Sequence, residues 1–398
     1  MKNMSNPSFR LGRLVFGLSI SLLVLAANHL QAARWRVNNQ LTAQTAGAGS
    51  VQTFTTLAAA QTAATNGDTI YVEGSPIAYS GVTCTKLLTW IGPGYFLTLN
   101  DSTQAMPNDA WINTAIAFNA GSAGSTFMGF RIEYSSTSAA QVAVSVNNIV
   151  IARNYFRNIT STAPTNGHCI NIVSGVTGTT IIQNFFELPT STTIVRRAIN
   201  MAGTSPNTLI ASNIILCGAF SDMTTAGATT TTVTANTGEA IRMVSTSSAT
   251  IQNNFINGHC FIANTDFNHN VMPRGLVVSA GGTNTTTYNT HQLAAGTGGM
   301  IITTAAGDNN LHSQSFASNA IITPPAGATV YQDRYYKYTN PLPASLTGNN
   351  TRRGHFGGPM PYRLSGLPPV PAVWSAIVPV SGLTNQNLNV TVRVRSIN

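Results

Sequence analysis

The chain has 398 residues, of which 8% are charged, against about 25% in an ordinary soluble domain. This deficit excludes a coiled coil, a salt-bridged helical bundle and a charged disordered tail. The formal net charge is +9, but the cations are scattered along the sequence. A nucleic-acid partner needs a concentrated basic footprint, so we expect no such partner.

The N-terminus has the organisation of an export signal. Three cations precede the apolar run 14–27, and small residues follow it up to Ala32, which is the order of a secretory signal peptide. The run has 14 residues and a spanning helix needs about 20; an uncleaved membrane anchor is the alternative. We predict a signal peptide over 1–32, no transmembrane span after its removal, and export to the extracellular space, the outer cell surface or the periplasm.

The next segment predicts the start of an all-β domain. The stretch 56–64 is rich in alanine and helical in character, and the sequence GDTIYVEG at 67–74 indicates a strand. A second strand pattern, KLLTWIGPGY, follows at 86–95. We therefore expect a short helix that caps the N-terminal end of the domain.

The middle of the chain repeats. A four-residue pattern recurs: a small residue, an aliphatic residue, a variable residue and an apolar residue. Its copies start 28, 26, 29 and 42 residues apart and are AIAF (115–118), AVSV (143–146), CINI (169–172), AINM (198–201) and AIRM (240–243). One such unit cannot bury its own apolar face, whereas stacked units can. We predict a right-handed parallel β-helix, a solenoid, over 33–325. A β-sandwich is the alternative. Most of the 42-residue interval is a Thr-rich loop, 217–238.

An asparagine follows most of these segments and predicts a ladder. Parallel coils stack their strands about 4.8 Å apart, so the asparagines of successive units should align at one turn and hydrogen-bond one another. Asparagine also tolerates the left-handed backbone that such a turn requires. The residues of the predicted ladder are Asn154, Asn184, Asn213 and Asn254. Asn270 and Asn319 begin two degenerate copies.

The last part of the chain, 326–398, differs in composition and is assigned to a separate tail. It contains an aromatic and charged stretch at 331–338, a Pro-rich stretch at 356–374 and a period-two strand pattern at 388–395. We expect the tail to pack along the flank of the β-helix or to close its C-terminal end, where an open coil would expose a sheet edge.

Two sets of motifs carry a resemblance to known proteins. The helical stretch, the GDTI strand and the K-x-L-x-x-x-G pattern at 86–92 resemble the opening of right-handed parallel β-helix proteins of the pectin-lyase-like superfamily. The pairing of GPGYFL (92–97) with FGGPMPYRLSGLPPVPAV (356–373) is similar to exported β-helix proteins of Bacteroidota, whose activity is generally unassigned. The resemblance implies the fold over 50–325 and leaves the activity open, because one fold hosts many functions.

The acidic residues argue against catalysis. Pectate lyases of this fold hold calcium with a cluster of carboxylates, and calcium takes 6–8 oxygen ligands. No two carboxylates of 33–398 lie within four residues of each other, and the repeat alignment stacks no pair. We predict no cofactor, no metal and a non-catalytic protein. A polysaccharide lyase or glycoside hydrolase acting on an acidic polysaccharide is the alternative.

The repeat itself supplies one candidate binding site. The residues that precede the small position are Thr114, Val142, His168, Arg197 and Glu239. The variable column holds Ala117, Ser145, Asn171, Asn200 and Arg242. If the strands bend, the charged members could bind an acidic sugar at the surface, with His168 as a base near neutral pH. A solvated ladder of opposite charges is the alternative. The candidate binding residues are His168, Arg197, Glu239 and Arg242.

Four cysteines remain open to two interpretations. Cys84, Cys169, Cys217 and Cys260 allow three disulfide pairings in an exported protein, or they stay buried as small apolar thiols. Together these features predict an exported or cell-surface β-helix protein that binds glycans or cell-surface partners, or that has a structural role.

Overall fold

The computed structural model describes residues 32–41, 52–100, 103, 106–134, 140–157, 168–188, 197–217, 239–295, 299–314, 331–338, 344–348, 351–377 and 390–395. Three predicted features lie outside these ranges: residues 1–31 of the signal peptide, nearly all of the Thr-rich loop, and the degenerate repeat copy that begins at Asn319. Within the described ranges, no helix is both long enough and apolar enough to span a bilayer.

Strands dominate the described chain, and twenty-seven of them form three all-parallel sheets, called A, B and C. Sheet A has eleven strands, in spatial order Thr53–Phe54, Arg34–Val37, Thr69–Val72, Thr89–Ile91, Thr126–Met128, Val150–Ala152, Thr180–Ile182, Thr208–Ala211, Ala249–Gln252, Thr265–Asn268 and Thr285–Thr287. Sheet B has the eight strands Trp111–Ile112, Arg131–Glu133, Tyr155–Arg157, Phe185–Leu188, Ile214–Cys217, Phe255–Asn257, Val271–Arg274 and Thr290–His291. Sheet C has the eight strands Thr83–Cys84, Ile116–Phe118, Val142–Val144, Ile170–Ile172, Arg197–Met201, Glu239–Arg242, His259–Ala263 and Val277–Gly281.

The chain runs through sheets A, B and C in turn and returns to A one coil later, so the fold is the predicted right-handed parallel β-helix. Alternation within each short strand builds the core: Ile116 and Phe118 point inward and are fully buried, while Ala117 between them is partly exposed. Equivalent side chains stack from coil to coil, as Phe156 and Phe186 do with ring centroids 4.8 Å apart. One continuous apolar interior results.

The predicted helical stretch forms the helix Leu57–Ala63. Thr56 caps its N-terminus by accepting a hydrogen bond from the Ala59 backbone N–H at 3.2 Å. Lys86 holds its C-terminal end, because its ammonium donates to three backbone carbonyls at 2.6–2.9 Å. Lys86 therefore stabilises a helix end.

The asparagine ladder runs along the turn between sheets A and B. Each side-chain amide donates to the Oδ1 of the next asparagine at 3.0–3.2 Å, and each Oδ1 also accepts from the backbone N–H of the previous one. The structure brings the four expected asparagines together and continues the stack with Asn270, Asn289 and Asn310. Each amide from Asn154 to Asn310 also donates to a strand carbonyl of sheet A at 2.8–3.0 Å.

The left-handed backbone lies one residue before each ladder asparagine, which corrects the expectation that asparagine itself adopts it. These preceding residues have φ between 52° and 58° and are Arg153, Gln183, Ser212, Asn253, His269, Tyr288 and Asn309. The ladder asparagines are thus selected for their side-chain hydrogen bonds, and their neighbours carry the backbone strain.

The coils vary in length more than the sequence repeat indicated. Successive ladder asparagines lie 30, 29, 41, 16, 19 and 21 residues apart. The period of 26–29 residues therefore holds only for the middle coils. After Asn254 each coil turns directly from one sheet to the next with few intervening residues, so the repeat becomes too short to recognise.

The tail lies against the outer face of sheet B. Tyr335, Tyr336 and Tyr362 pack on a second apolar cluster, whose members on the β-helix include Phe185 and Phe255. Two antiparallel strand pairs belong to the tail, Thr347–Gly348 with Thr351–Arg352 and Ala372–Ile377 with Thr391–Arg395. It also contains the short 3-10 helices Asp333–Tyr336, Ala344–Leu346 and Leu364–Gly366.

All four cysteines are buried and free. The disulfide interpretation is therefore wrong for this structure, and the thiols act as small apolar side chains. Burial raises the pKa of the Cys84 thiol to about 12, which keeps it protonated and unreactive at neutral pH.

Three buried histidines predict acid sensitivity. Burial lowers the pKa of His168 and of His291 to about 4 and that of His355 to about 3, whereas an unfolded histidine titrates near 6.5. Because the unfolded chain binds these protons first, stability should fall as the pH drops from about 6.5 towards 4, by about 1.4 kcal/mol per pH unit for each histidine. Urea unfolding measured from pH 7 to pH 4.5 tests this, and a flat profile would contradict it.

Candidate functional site

Three of the four predicted binding residues meet at the start of two strands of sheet C. Arg197 and Glu239 are register neighbours, and the Arg197 Nε donates to Glu239 Oε2 at 2.6 Å. Arg242 Nη1 donates to the other carboxylate oxygen at 3.2 Å. Glu239 is 6% exposed, so two guanidinium groups neutralise one nearly buried carboxylate.

Polar neighbours extend this ion-pair cluster along sheet C. Arg197 Nη1 donates to Asn200 Oδ1 at 3.2 Å, and Asn200 Nδ2 donates to Asn171 Oδ1 at 2.6 Å. The Arg242 guanidinium lies 4.3 Å from the centre of the Phe261 ring. The cluster is therefore a ladder of opposite charges and amides along sheet C, with a nearly buried carboxylate at its centre.

The predicted columns contain one error of register. Val142 pairs with Ile116 and Ile170, and Ala143 pairs with Ala117 and Asn171. Ala143, and not Ser145, thus occupies the variable column. The sequence alignment of this unit was displaced by two residues, and such a shift keeps every apolar side chain on the same face of the strand.

His168 does not have the properties of a base near neutral pH. Its side chain is 4% exposed, and burial, together with the nearby Arg197 charge, lowers its pKa to about 4. A general base works best with a pKa near the operating pH. No residue of the described chain hydrogen-bonds its Nδ1. The imidazole is neutral and enclosed beside the ion-pair cluster.

A second charged cluster lies on the outer face of sheet B. Glu133 accepts from Arg131 Nε at 2.9 Å with one carboxylate oxygen and from Arg157 Nη1 at 3.1 Å with the other. Arg157 Nε lies 3.5 Å from Glu187 Oε1, and Arg131 Nη1 lies 3.6 Å from Asp109 Oδ2. These five residues are called the sheet B charge cluster.

The sheet B charge cluster borders an open cavity of about 380 Å³. Residues 96–99 form one wall, residues 107–109 form another, and Arg131, Tyr155 and Arg157 form the floor. Ligand pockets in proteins usually measure about 300–1,000 Å³. This cavity therefore has the size and the convergent polar groups of a small binding site.

Burial changes the acidity of two carboxylates in the cluster. Burial raises the pKa of Asp109, although the adjacent Arg131 charge acts in the opposite direction. Burial likewise raises the pKa of Glu187, against a hydrogen bond from the Tyr155 hydroxyl and the charge of Arg157. Within the described part of the chain, no group of three or more His, Cys, Asp and Glu residues has the arrangement of a metal site.

The tail holds the wall of the cavity in place. The Tyr95 backbone N–H donates to the Ser365 carbonyl at 2.8 Å, and the hydroxyls of Tyr95 and Tyr362 are 2.6 Å apart. Asp333 is fully buried and accepts from Asn100 Nδ2 at 2.9 Å and from the Ser365 N–H at 2.5 Å. The two motifs GPGYFL and FGGPMPYRLSGL thus contact each other, and their contact fixes residues 96–99, called the wall loop.

Sequence reasoning missed the sheet B charge cluster, although a signal was present. Arg157 and Glu187 each lie three residues after a ladder asparagine, Asn154 and Asn184, and Glu133 lies three residues after Phe130, the equivalent position one coil earlier. In parallel coils this common offset places them in register. No two carboxylates are register neighbours here, as expected, because Arg157 lies between Glu133 and Glu187; the sequence analysis overlooked that an arginine could bring them into one cluster.

Comparisons of the whole chain with models of known protein families, with curated proteins and with solved structures give no match.

Proposed function

We propose that this protein is an exported or cell-surface, non-catalytic glycan-binding β-helix protein, and that the cavity on sheet B holds the glycan. One observation carries the proposal: two guanidinium donors, Arg131 and Arg157, and the Asp109 carboxylate line a cavity beside the partly exposed ring of Phe96. A sugar ring presents hydroxyls that both donate and accept hydrogen bonds, together with an apolar face of C–H groups that packs on such side chains.

The charge balance of the cavity favours a neutral glycan. The sheet B charge cluster holds three carboxylates and two guanidinium groups, and each guanidinium is already paired with carboxylates. An acidic sugar would bring a further negative charge to this site and face repulsion at short range. The hydroxyls of a neutral sugar can instead bridge the Asp109 carboxylate and the remaining N–H groups of Arg131 and Arg157.

The same pairing disfavours catalysis. A glycoside hydrolase needs one carboxyl group as acid and a second as base or nucleophile on opposite sides of the bond. Asp109, with its raised pKa, would suit the acid, but Glu133 and Glu187 are both engaged by Arg157. A lyase or hydrolase acting on an acidic polysaccharide is the second candidate function, and the raised pKa of Asp109 is the observation that favours it.

The wider setting is also part of the proposal. The cations and apolar run of residues 1–27 support export. The parallel coils together with the GDTI and K-x-L-x-x-x-G motifs support kinship with the pectin-lyase-like superfamily. The presence of both GPGYFL and the Pro-rich motif at 356–373 supports kinship with the exported β-helix proteins of Bacteroidota.

Asp109→Asn tests the site. Removing the carboxylate should weaken binding of a neutral glycan about tenfold, because a hydrogen bond to a charged group contributes about 1.5 kcal/mol. The mature protein would first be passed over immobilised neutral and acidic polysaccharides, and the affinity for the best ligand measured by calorimetry. Asp266→Asn, an exposed aspartate on sheet A, is the matched control and should bind like the wild type.

Two results would overturn the proposal. If Asp109→Asn and the wild type bind the glycan with equal affinity, the cavity is not the glycan-binding site. New reducing ends or unsaturated products, lost in Asp109→Asn, would identify the protein as an enzyme. The pH gives a further check: binding should weaken as the pH falls through the raised pKa of Asp109, at a higher pH than for an ordinary aspartate.

A further inference from the structure

The wall loop begins with a strained residue. Phe96 has a φ of 50°, in the left-handed region that a bulky L-residue rarely adopts. Outside the turn of the asparagine ladder, the other non-glycine residues of the described chain with positive φ are asparagines and serines: Asn148, Asn207, Asn264, Ser313 and Ser365. Asparagine tolerates this conformation because its short side chain hydrogen-bonds locally, whereas a phenyl ring makes no such bond. Surrounding contacts must therefore hold Phe96 in place.

Ser365 of the tail makes those contacts. Its carbonyl accepts from the Tyr95 backbone N–H at 2.8 Å and its hydroxyl oxygen accepts from Asn100 Nδ2 at 2.8 Å, so it is bonded on both sides of Phe96. The hydroxyl also donates to the Phe96 carbonyl at 3.3 Å. Ser365 is itself fully buried, with a left-handed φ of 61°, and its backbone N–H donates to Asp333. Two residues of unusual backbone conformation thus contact each other across the junction of the tail and the β-helix.

Two glycines permit this close approach. A Cβ atom at Gly94 would lie 2.5 Å from the Ser365 carbonyl oxygen, and one at Gly366 would lie 2.3 Å from the Tyr95 ring. Both glycines also have a positive φ, of 102° and 53°, which other residues rarely adopt. Positive φ values therefore occur on both sides of a single contact, and backbone strain of this kind clusters at ligand clamps and switch regions.

The junction determines where the Phe96 ring lies. The ring packs on Tyr155 and Phe185, with ring centroids 4.8 and 5.7 Å apart, and it borders the cavity together with Arg131 and Arg157. A change of φ at Phe96 would redirect its Cβ atom and carry the ring away from this position. Among the described residues that line the cavity, none belongs to the tail. The tail can therefore affect the cavity only through the residues it holds, above all the wall loop.

We propose that Ser365 is a positioning residue of the glycan site, which couples docking of the tail to glycan binding. Ser365 holds Phe96 in its left-handed conformation and so places the ring on which a bound sugar packs. The inference rests on the proposed function of the cavity. A sugar that packs on this ring favours the docked tail, and by linkage the docked tail raises the affinity for the sugar by the same factor. Loss of the Ser365 contact should weaken binding although no group that touches the glycan has changed.

Ser365→Gly tests the positioning. Glycine readily adopts a φ of 61° and keeps the backbone hydrogen bonds, but it lacks the hydroxyl that contacts Asn100 and Phe96. We expect faster hydrogen–deuterium exchange in the wall loop of the free variant and about fivefold weaker binding of the best-retained neutral glycan. Phe96→Ala removes the ring itself and should weaken binding about tenfold. Tyr338→Phe is the matched control and should bind like the wild type, because the Tyr338 hydroxyl donates to the Arg353 carbonyl at 3.2 Å, a contact within the tail.

The coupling also predicts an effect in the opposite direction. Bound glycan should slow exchange at residues 362–366 of the wild type, and this protection should disappear in Ser365→Gly; a residue with only a structural role would not transmit it. Circular dichroism during urea unfolding checks that the variants fold. Asn100→Ala removes the same hydroxyl contact from the side of the β-helix and should reproduce the pattern of Ser365→Gly.

The outcomes separate this inference from the proposed function. If the wild type retains a glycan but Ser365→Gly binds it equally well, or if the wall loop of the free variant exchanges as in the wild type, the positioning role is overturned and the cavity remains the binding site. If the wild type retains no glycan while Ser365→Gly still loosens the wall loop, the proposed function is overturned, and the coupling to glycan binding with it.

Discussion

Asn213→Ala should lower the free energy of unfolding by about 4 kcal/mol. Asn213 is fully buried in the middle of the ladder. Its Oδ1 accepts from the backbone N–H of Asn184 at 2.9 Å and from the Asn184 amide at 3.1 Å. Its own amide donates to the Ile181 carbonyl at 2.9 Å and to Asn254 at 3.0 Å. Alanine removes this partner from the buried backbone N–H of Asn184 and from the Ile181 carbonyl, and each unsatisfied buried group costs about 1–3 kcal/mol. The Asn184 amide and Asn254 Oδ1 each lose one of two hydrogen bonds and keep the other.

Urea denaturation of the two proteins measures this loss. Asn119→Ala is the matched control, because Asn119 is exposed and such a substitution usually changes stability by less than about 0.5 kcal/mol. Asn310→Ala changes the last asparagine of the described ladder, whose amide is only partly buried. Its loss of unfolding free energy should therefore lie between those of Asn213→Ala and Asn119→Ala. Equal stabilities for Asn213→Ala and Asn119→Ala would show that the ladder contributes little.

Deletion of residues 351–398 should make the protein aggregate and bind an apolar dye. The tail covers rings on the outer face of sheet B, and these include Tyr95, Phe185 and Phe255. Loss of Tyr362 and Ser365 also leaves Asp333 without two of its hydrogen-bond donors. The sequence led us to expect aggregation from an exposed sheet edge, whereas the structure locates the cause on a sheet face.

Light scattering and dye fluorescence of the deletion variant and the wild type measure this effect. A shorter deletion, 378–398, removes the strand Thr391–Arg395 and keeps the junction of Tyr362, Ser365 and Asp333. It should remain dispersed and bind little dye. If the 351–398 deletion variant stays monomeric and its dye fluorescence equals that of the wild type, the tail does not protect the face of sheet B.

Much of the architecture was predictable because it depends on local patterns. The Ala-rich stretch predicted the helix Leu57–Ala63, and the recurring asparagines predicted a stack with Asn154, Asn184, Asn213 and Asn254 as neighbours. Such features repeat at nearly constant spacing in the middle coils, so a single sequence is enough to reveal them.

The site was harder to predict, because it depends on register between coils and on contacts distant in sequence. A two-residue error in the unit containing Val142 left the apolar pattern intact and could not be detected from polarity alone. Ser365 Oγ donates to the Phe96 carbonyl of the wall loop, and the hydroxyl of the adjacent Tyr95 contacts that of Tyr362. Both contacts span more than 260 residues, a distance over which no local pattern extends. The charge cluster of sheet B could have been found by aligning the units on the asparagine rather than on the preceding small residue.

Hydrogen–deuterium exchange of the protein with and without its best-retained neutral glycan tests the central claim most directly. We predict slower exchange in the wall loop and in residues 107–109, which border the cavity, and no change in the sheet C strands 197–201 and 239–242. Protection confined to sheet C, or bound glycan with no protection at the wall loop, would contradict it.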